Sequence, residues 1–142
     1  MTTQRVYTAA EGRVALATGR MPVDVPGGRV VGPRGMNKLE ARYAQEVLEP
    51  MKRAGQIRDY GYERVTLKLA DRLRYTADFD VVLWEGVVEL RETKGFWRDD
   101  ARAKIKAAAE LFPHFRFLAI RRVKREWVTE EFYPSALRRG AA

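Results

Sequence analysis

Residues 88–94 read VELRETK, alternating apolar and charged side chains in the manner of a β-strand, where residues two apart share a face. Val88, Leu90, Glu92 and Lys94 therefore point the same way, and the core-facing side turns from apolar to charged as the strand ends. Within 74–84 the same parity groups Asp78 and Asp80 with Val82 and Trp84. A tight turn at Glu85-Gly86 would bring one of these aspartates beside Glu92. Carboxylates that close repel unless a cation lies between them, and a hard divalent ion with oxygen ligands is the natural tenant. A third acid lies on the helix predicted from the N-cap Asn37 to a stop at Gly55. Its stripe of Tyr43, Ala44, Val47, Leu48 and Met51 extends back at helical spacing to Glu40. Glu40 thus stands where a packed residue belongs, serving either this site or a capping box with Asn37, or both.

The elements that must position these acids follow from periodicity and punctuation. Pro50 predicts a kink near Leu48 to Pro50 in the first helix. Alternation predicts strands over 60–70, 74–84 and 87–94. Asp99 or Asp100 caps a second helix, whose stripe of Ala101, Ile105, Ala108 and Phe112 ends before Pro113. The apolar run 115–120 is a strand buried in a sheet. The expected class is α/β: helix, three-stranded antiparallel meander, helix and strand, with a mixed central sheet. Residues 19–36 hold five Gly and three Pro, so 1–36 reads as an arm or linker, with room for a short hairpin before the Gly-rich stretch. Residues 37–122 form the core, and 123–142 a basic and aromatic extension without a clear element pattern.

Composition narrows the chemistry. A chain of 142 residues with 46% hydrophobic side chains fills one ordinary domain. The absence of Cys excludes disulfides, thiol catalysis and thiolate-held zinc, and the single His114 excludes a multi-His centre within one chain. A metal here is oxygen-held, which favours magnesium or manganese. No apolar run approaches the roughly 18 residues of a membrane span. The first twenty residues lack the order of a secretory leader, so a cytoplasmic location is expected.

Asp78, then Glu92-Thr93-Lys94 after 13 intervening residues, with Glu40 upstream on a helix, resembles the PD-(D/E)xK nuclease superfamily. Within it the chain looks most like Holliday junction resolvases of phage and archaea and related small phage endonucleases. The stretches NKLEARYAQ and ETKGFWRDDARAKIKAAAELFP carry that likeness, which covers roughly 37–122. Ala77 stands where the family's Pro usually precedes the aspartate, and the Thr-x-Asp-Phe context favours Asp78 over Asp80 as the ligand. The resemblance implies a restriction-endonuclease-like core and a magnesium-dependent endonuclease, with manganese substituting. It implies that Asp78, Glu92 and the Thr93 carbonyl hold the metal, with Glu40 completing the site directly or through water. Lys94 is then the residue that positions or activates the attacking water. A phage-encoded protein of this kind would work in the host cytoplasm.

Charge adds a partner. The formal net charge of +8 is uneven: 5 bases against 2 acids in 1–36, 11 against 11 in 37–95, and 11 against 6 in 96–142. Such clustering favours DNA. Arg98, Arg102, Lys104 and Lys106 on the second helix, and Arg121, Arg122, Lys124 and Arg125 after the last strand, are the candidate phosphate contacts. Trp97 is either a packed aromatic or a base-stacking one. The leading expectation is a resolvase that nicks four-way junctions symmetrically as a homodimer, whose two sites match a two-fold substrate. A general phage-type endonuclease or recombination exonuclease is the alternative, and a non-catalytic basic DNA-binding module the third.

Overall fold

The computed structural model describes residues 5–7 and 35–136. Strand β1 (Arg5–Tyr7) is followed, after residues outside the description, by a helical stretch over 38–53. Asn37 caps it, accepting from the Glu40 N–H at 2.8 Å. The capping box takes a different form from the expected one, because Glu40 Oε1 receives the Asn37 side-chain amide (2.7 Å) rather than the backbone. Pro50 does not end the helix. Helix α1 (Lys38–Tyr43) widens into π-helical turns over Ala44–Leu48 before α2 (Glu49–Arg53), and Pro50 sits at the start of α2, where its missing donor costs least. Gly55, at φ +73°, ends the stretch in the left-handed region.

The next segment departs from the three long strands expected. The first is cut into β2 (Asp59–Tyr62) and β3 (Val65–Ala70), and the second into β4 (Leu73–Thr76) and β5 (Phe79–Val82). The cut falls at Glu63, whose φ of +49° turns the chain out of one sheet and into another. Its N–H donates to the Asp78 carbonyl (2.8 Å), so both crossings are tied at one point. The hairpin of β3 and β4 joins β1 in a three-stranded sheet of order β1-β3-β4. The larger sheet has the order β2-β5-β6-β7-β8, with β6 (Val88–Thr93), β7 (Arg116–Val123) and β8 (Glu126–Phe132). It is mixed: β6 and β7 run parallel and the other pairs antiparallel. The expected turn at Glu85-Gly86 joins β5 to β6, with Gly86 at φ +90°.

Helix α3 (Asp99–Leu111) makes the crossover between the parallel strands. Arg98 occupies its N-cap, with Asp99 and Asp100 one step inside the first turn, where they oppose the helix dipole, rather than at the cap. Beyond 122, the segment without a clear pattern forms the end of β7 and then β8, joined through Lys124 and Arg125, both at positive φ. Most of β8 is exposed, which erases the apolar alternation that would have announced it.

Two apolar clusters cover the faces of the large sheet. Tyr43, Ala44 and Leu48 pack on Tyr60, Tyr62, Phe79, Val81, Leu118 and Ile120. On the other face Ile105, Ala108, Ala109 and Phe112 pack on Val88, Leu90, Phe117 and Ala119, and Val65, Leu67 and Tyr75 of the small sheet join them. Where the two sheets meet, the Arg64 guanidinium is bound by Asp80 through two contacts (3.0 and 2.8 Å) and lies 3.5 Å from Asp59. Gly61 makes room for it, since a Cβ there would lie 1.7 Å from Arg64 Nε. Arg64 is buried and pinned, so it cannot swing aside cheaply. Gly61→Ala is expected to cost roughly 2–4 kcal/mol, read as a lowered urea midpoint with an unchanged slope.

Candidate active site

The β5–β6 register pairs Phe79 with Arg91 and Asp80 with Leu90, and continued by one step it sets Asp78 level with Glu92. That arithmetic separates the two aspartates. Asp80 is consumed by Arg64 and is 1% exposed, whereas Asp78 sits at the mouth of the hairpin. Asp78 Oδ2 accepts from the Thr93 N–H (2.9 Å) and from the Thr93 hydroxyl (3.1 Å), which fixes the carboxylate and leaves Oδ1 without a hydrogen bond among the described residues.

Glu92 is buried at the end of β6. Lys94 Nζ lies 3.0 Å from its Oε1, and the Tyr75 hydroxyl donates to Oε2 at 2.7 Å. The Lys94 N–H donates to the Ile120 carbonyl (2.9 Å), anchoring the strand end on β7. Glu40 arrives from the first turn of α1, buried, and among the described residues its Oε2 accepts no hydrogen bond, although its charge acts on the Tyr62 phenol. The four side chains singled out in the sequence, Glu40, Asp78, Glu92 and Lys94, therefore come from a helix and two neighbouring strands into one electrostatic unit.

The electrostatics bear this out in two directions. Burial, followed by the charges of Glu92 and then Glu40, pushes the Asp78 carboxyl up to about 7 against the opposing hydrogen bonds from Thr93. Burial works against the Lys94 ammonium, but Glu92, Asp78 and Glu40 together outweigh it and raise its pKa. Burial and the Glu92 charge likewise hold the Tyr75 phenol protonated, as a donor.

No family model, curated protein or solved structure matches this chain. Function is therefore argued from the site itself. Among the described residues no three His, Cys, Asp or Glu side chains are grouped so that they could hold a metal ion as they stand. The donor set still suits a hard cation: every candidate ligand is an oxygen, Glu40 Oε2 is buried without a hydrogen-bond partner among the described residues, and Asp78 carries repulsion that a cation would relieve. Asp78, Glu92 and Glu40 are the groups that would hold it, and they would have to draw closer together than they stand to do so.

The proposed phosphate contacts divide. Arg102 is committed to Glu130 (3.0 and 2.7 Å) and lies over the rings of Trp97 and Phe132. Arg122 is bound to Glu46 (2.8 Å) and stacks on Trp127. These two hold structure. Lys104 is half-buried, while Arg98, Lys106, Arg121, Lys124 and Arg125 are exposed and make no ion pair among the described residues. Trp97 is half-buried and packs against the core, and the aromatic in the open beside Lys94 is Phe96, 80% exposed. Sequence reasoning missed Tyr75, although a tyrosine on a buried strand face needs a partner for its hydroxyl. No helix among the described residues is long and apolar enough to cross a membrane.

Proposed function

We propose that the chain is a metal-dependent DNA endonuclease of the PD-(D/E)xK type, acting on branched DNA with four-way junctions as its substrate and working as a homodimer. The single observation behind this reading is that Glu40 on α1, Asp78 before β5, and Glu92 and Lys94 at the end of β6 act on one another electrostatically, with Lys94 paired to Glu92. Magnesium or manganese, when bound, supplies Lewis-acid activation of water and neutralises charge on the phosphate. The chain's own residues do the rest. Thr93 orients Asp78 with two hydrogen bonds, and Tyr75 orients Glu92 with one. Lys94, aimed by Glu92, presents a positive charge to a phosphate oxygen or the attacking water, where charge develops during in-line displacement. The small size, the exposed cations of 98–125 and the sequence resemblance favour DNA, and a two-fold dimer would place two such sites on a two-fold junction.

The test incubates purified protein and Lys94→Ala with labelled four-way junctions and matched linear duplex in magnesium. Wild type is expected to make paired, symmetric nicks in the junction. Lys94→Ala should cut at least roughly 10^2-fold more slowly while still binding. Equal digestion of every substrate would remove the junction preference and leave a general nuclease. Binding without cleavage in magnesium or manganese would point to a non-catalytic DNA-binding module.

A further inference from the structure

Within the neutral segment 37–95, residues 65–76 hold three cations against one acid. Among the acids of 37–95, Asp80, Glu89 and Glu92 are buried against Arg64, Arg91 and Lys94 of the same segment, which leaves the remaining cations to be judged by their own surroundings. In the hairpin of β3 and β4, Lys68 and Arg74 are directly opposite each other in the register, and both are exposed. Like charges in that position repel and destabilise the pair. Arg72 adds a third exposed cation in the turn, at φ +59°, a conformation that a glycine would adopt at less cost. Asp71 is the one acid within 65–76, and none of the three cations makes an ion pair among the described residues.

One further feature gives this cluster a direction. Parity places Lys68 and Arg74 on the face opposite Leu67 and Tyr75, away from the side on which Tyr75 reaches Glu92, with the hydroxyl-bonded pair Thr66 and Thr76 next toward the base. That base is the active site: β4 ends two residues before Asp78, and the Asp78 carbonyl is held by Glu63 at the start of the same hairpin. Arg74 stands four residues from Asp78, at most roughly 13 Å away, since the chain bends at Asp78. Among the described residues the β4 edge has no strand partner.

We infer that the β3–β4 hairpin is a phosphate-backbone clamp, in which Lys68, Arg72 and Arg74 grip the nucleic-acid strand flanking the one held at Asp78 and Glu92. This rests on the nuclease reading of the site, and extends it from the cutting pocket to a substrate arm. Mutual repulsion among the three cations is relieved when phosphates lie between them, so binding recovers the cost of the unpaired arrangement. Phosphate contacts of this kind carry affinity and salt dependence without reading sequence.

The experiment measures binding of a fluorescent four-way junction and of a duplex as a function of salt, in magnesium, in the non-cleaving Lys94→Ala background. Adding Lys68→Gln and Arg74→Gln is expected to weaken binding about tenfold and to lower the slope of log K against log salt by about 2. The thermal midpoint should stay or rise, because a repulsive pair is removed. Arg72→Gly gives an independent reading, with the slope reduced by about 1 and no loss of stability. If the parent binds DNA and these variants bind it with equal affinity and slope, the clamp is wrong and the nuclease reading stands. Unchanged binding together with self-association in light scattering would make the cations guards of an open sheet edge, which also overturns the clamp. If the parent binds no DNA in any salt, both readings fall.

Discussion

Asp78→Asn is expected to make the metal-free protein more stable while abolishing cleavage. Asp78 is held between burial and two neighbouring acids, and its carboxyl is pushed up to about 7 from an ordinary value near 3.8. The fold therefore prefers it protonated. Below the unfolded value both states carry the proton and nothing is gained or lost. Between about 3.8 and about 7 the unfolded chain releases it while the fold retains it, so folding stability falls as pH rises through that window and levels off above it. An asparagine keeps an oxygen for the Thr93 donors and never ionises. The shift would amount to about 4 kcal/mol at full value. Relaxation around the charged carboxylate and partial solvent access reduce it, so a gain of roughly 1–3 kcal/mol at pH 8 is expected. Thermal melts from pH 4 to 8 in chelator should show the two proteins converging at the acid end. Magnesium should then raise the midpoint of wild type, since it binds the fold alone, and leave the variant nearly unmoved. A variant less stable than wild type at pH 8 would mean that Asp78 is anchored by Thr93 more than it is repelled by its neighbours.

That site was legible in the sequence because it depends on local rules. Strand parity fixed which residues accompany Glu92, the Glu85-Gly86 turn brought β5 back against β6, and the register then set Asp78 level with Glu92. The cap at Asn37 delivered Glu40 by helical spacing. The segments around it were less legible, for identifiable reasons. Continuous alternation over 60–70 hid a break at Glu63, where a left-handed residue that is neither Gly nor Asn moves the chain between sheets. Tertiary contacts override propensity there, through the hydrogen bond from Glu63 to Asp78. β8 escaped because its side chains are mostly exposed and its stabilising partners, such as Glu130 with Arg102 and Glu131 with Arg116, are charges far away in sequence. The cations of the β3–β4 hairpin were hidden in a segment total of zero because most of the balancing acids lie elsewhere in that segment. The role of Asp80 was open for a related reason: its partner Arg64 is 16 residues away, and neither local pattern announces the other.

Removing that partner is the second large effect. Arg64→Met is expected to cost roughly 3–5 kcal/mol at pH 8, because it leaves the Asp80 carboxylate buried with no cation to balance it. Burial already outweighs the pull of Arg64 on Asp80 and raises its carboxyl above the ordinary range. Without Arg64 the rise becomes larger, and the carboxyl takes up a proton more readily. The loss should therefore shrink as pH falls toward 5, since a protonated Asp80 no longer has a charge to bury. Arg64→Met combined with Asp80→Leu replaces both members and should recover most of the stability, as burying an apolar pair avoids the desolvation cost of the ions. Activity separates this pair from the site it supports. Arg64 and Asp80 lie where β2 passes to β3 and β4 passes to β5, and Asp78 is two residues from Asp80. If the pair positions Asp78, the double variant will fold yet cleave more slowly, with magnesium required at higher concentration. If it only fills the junction between the sheets, the double variant will cleave as wild type does.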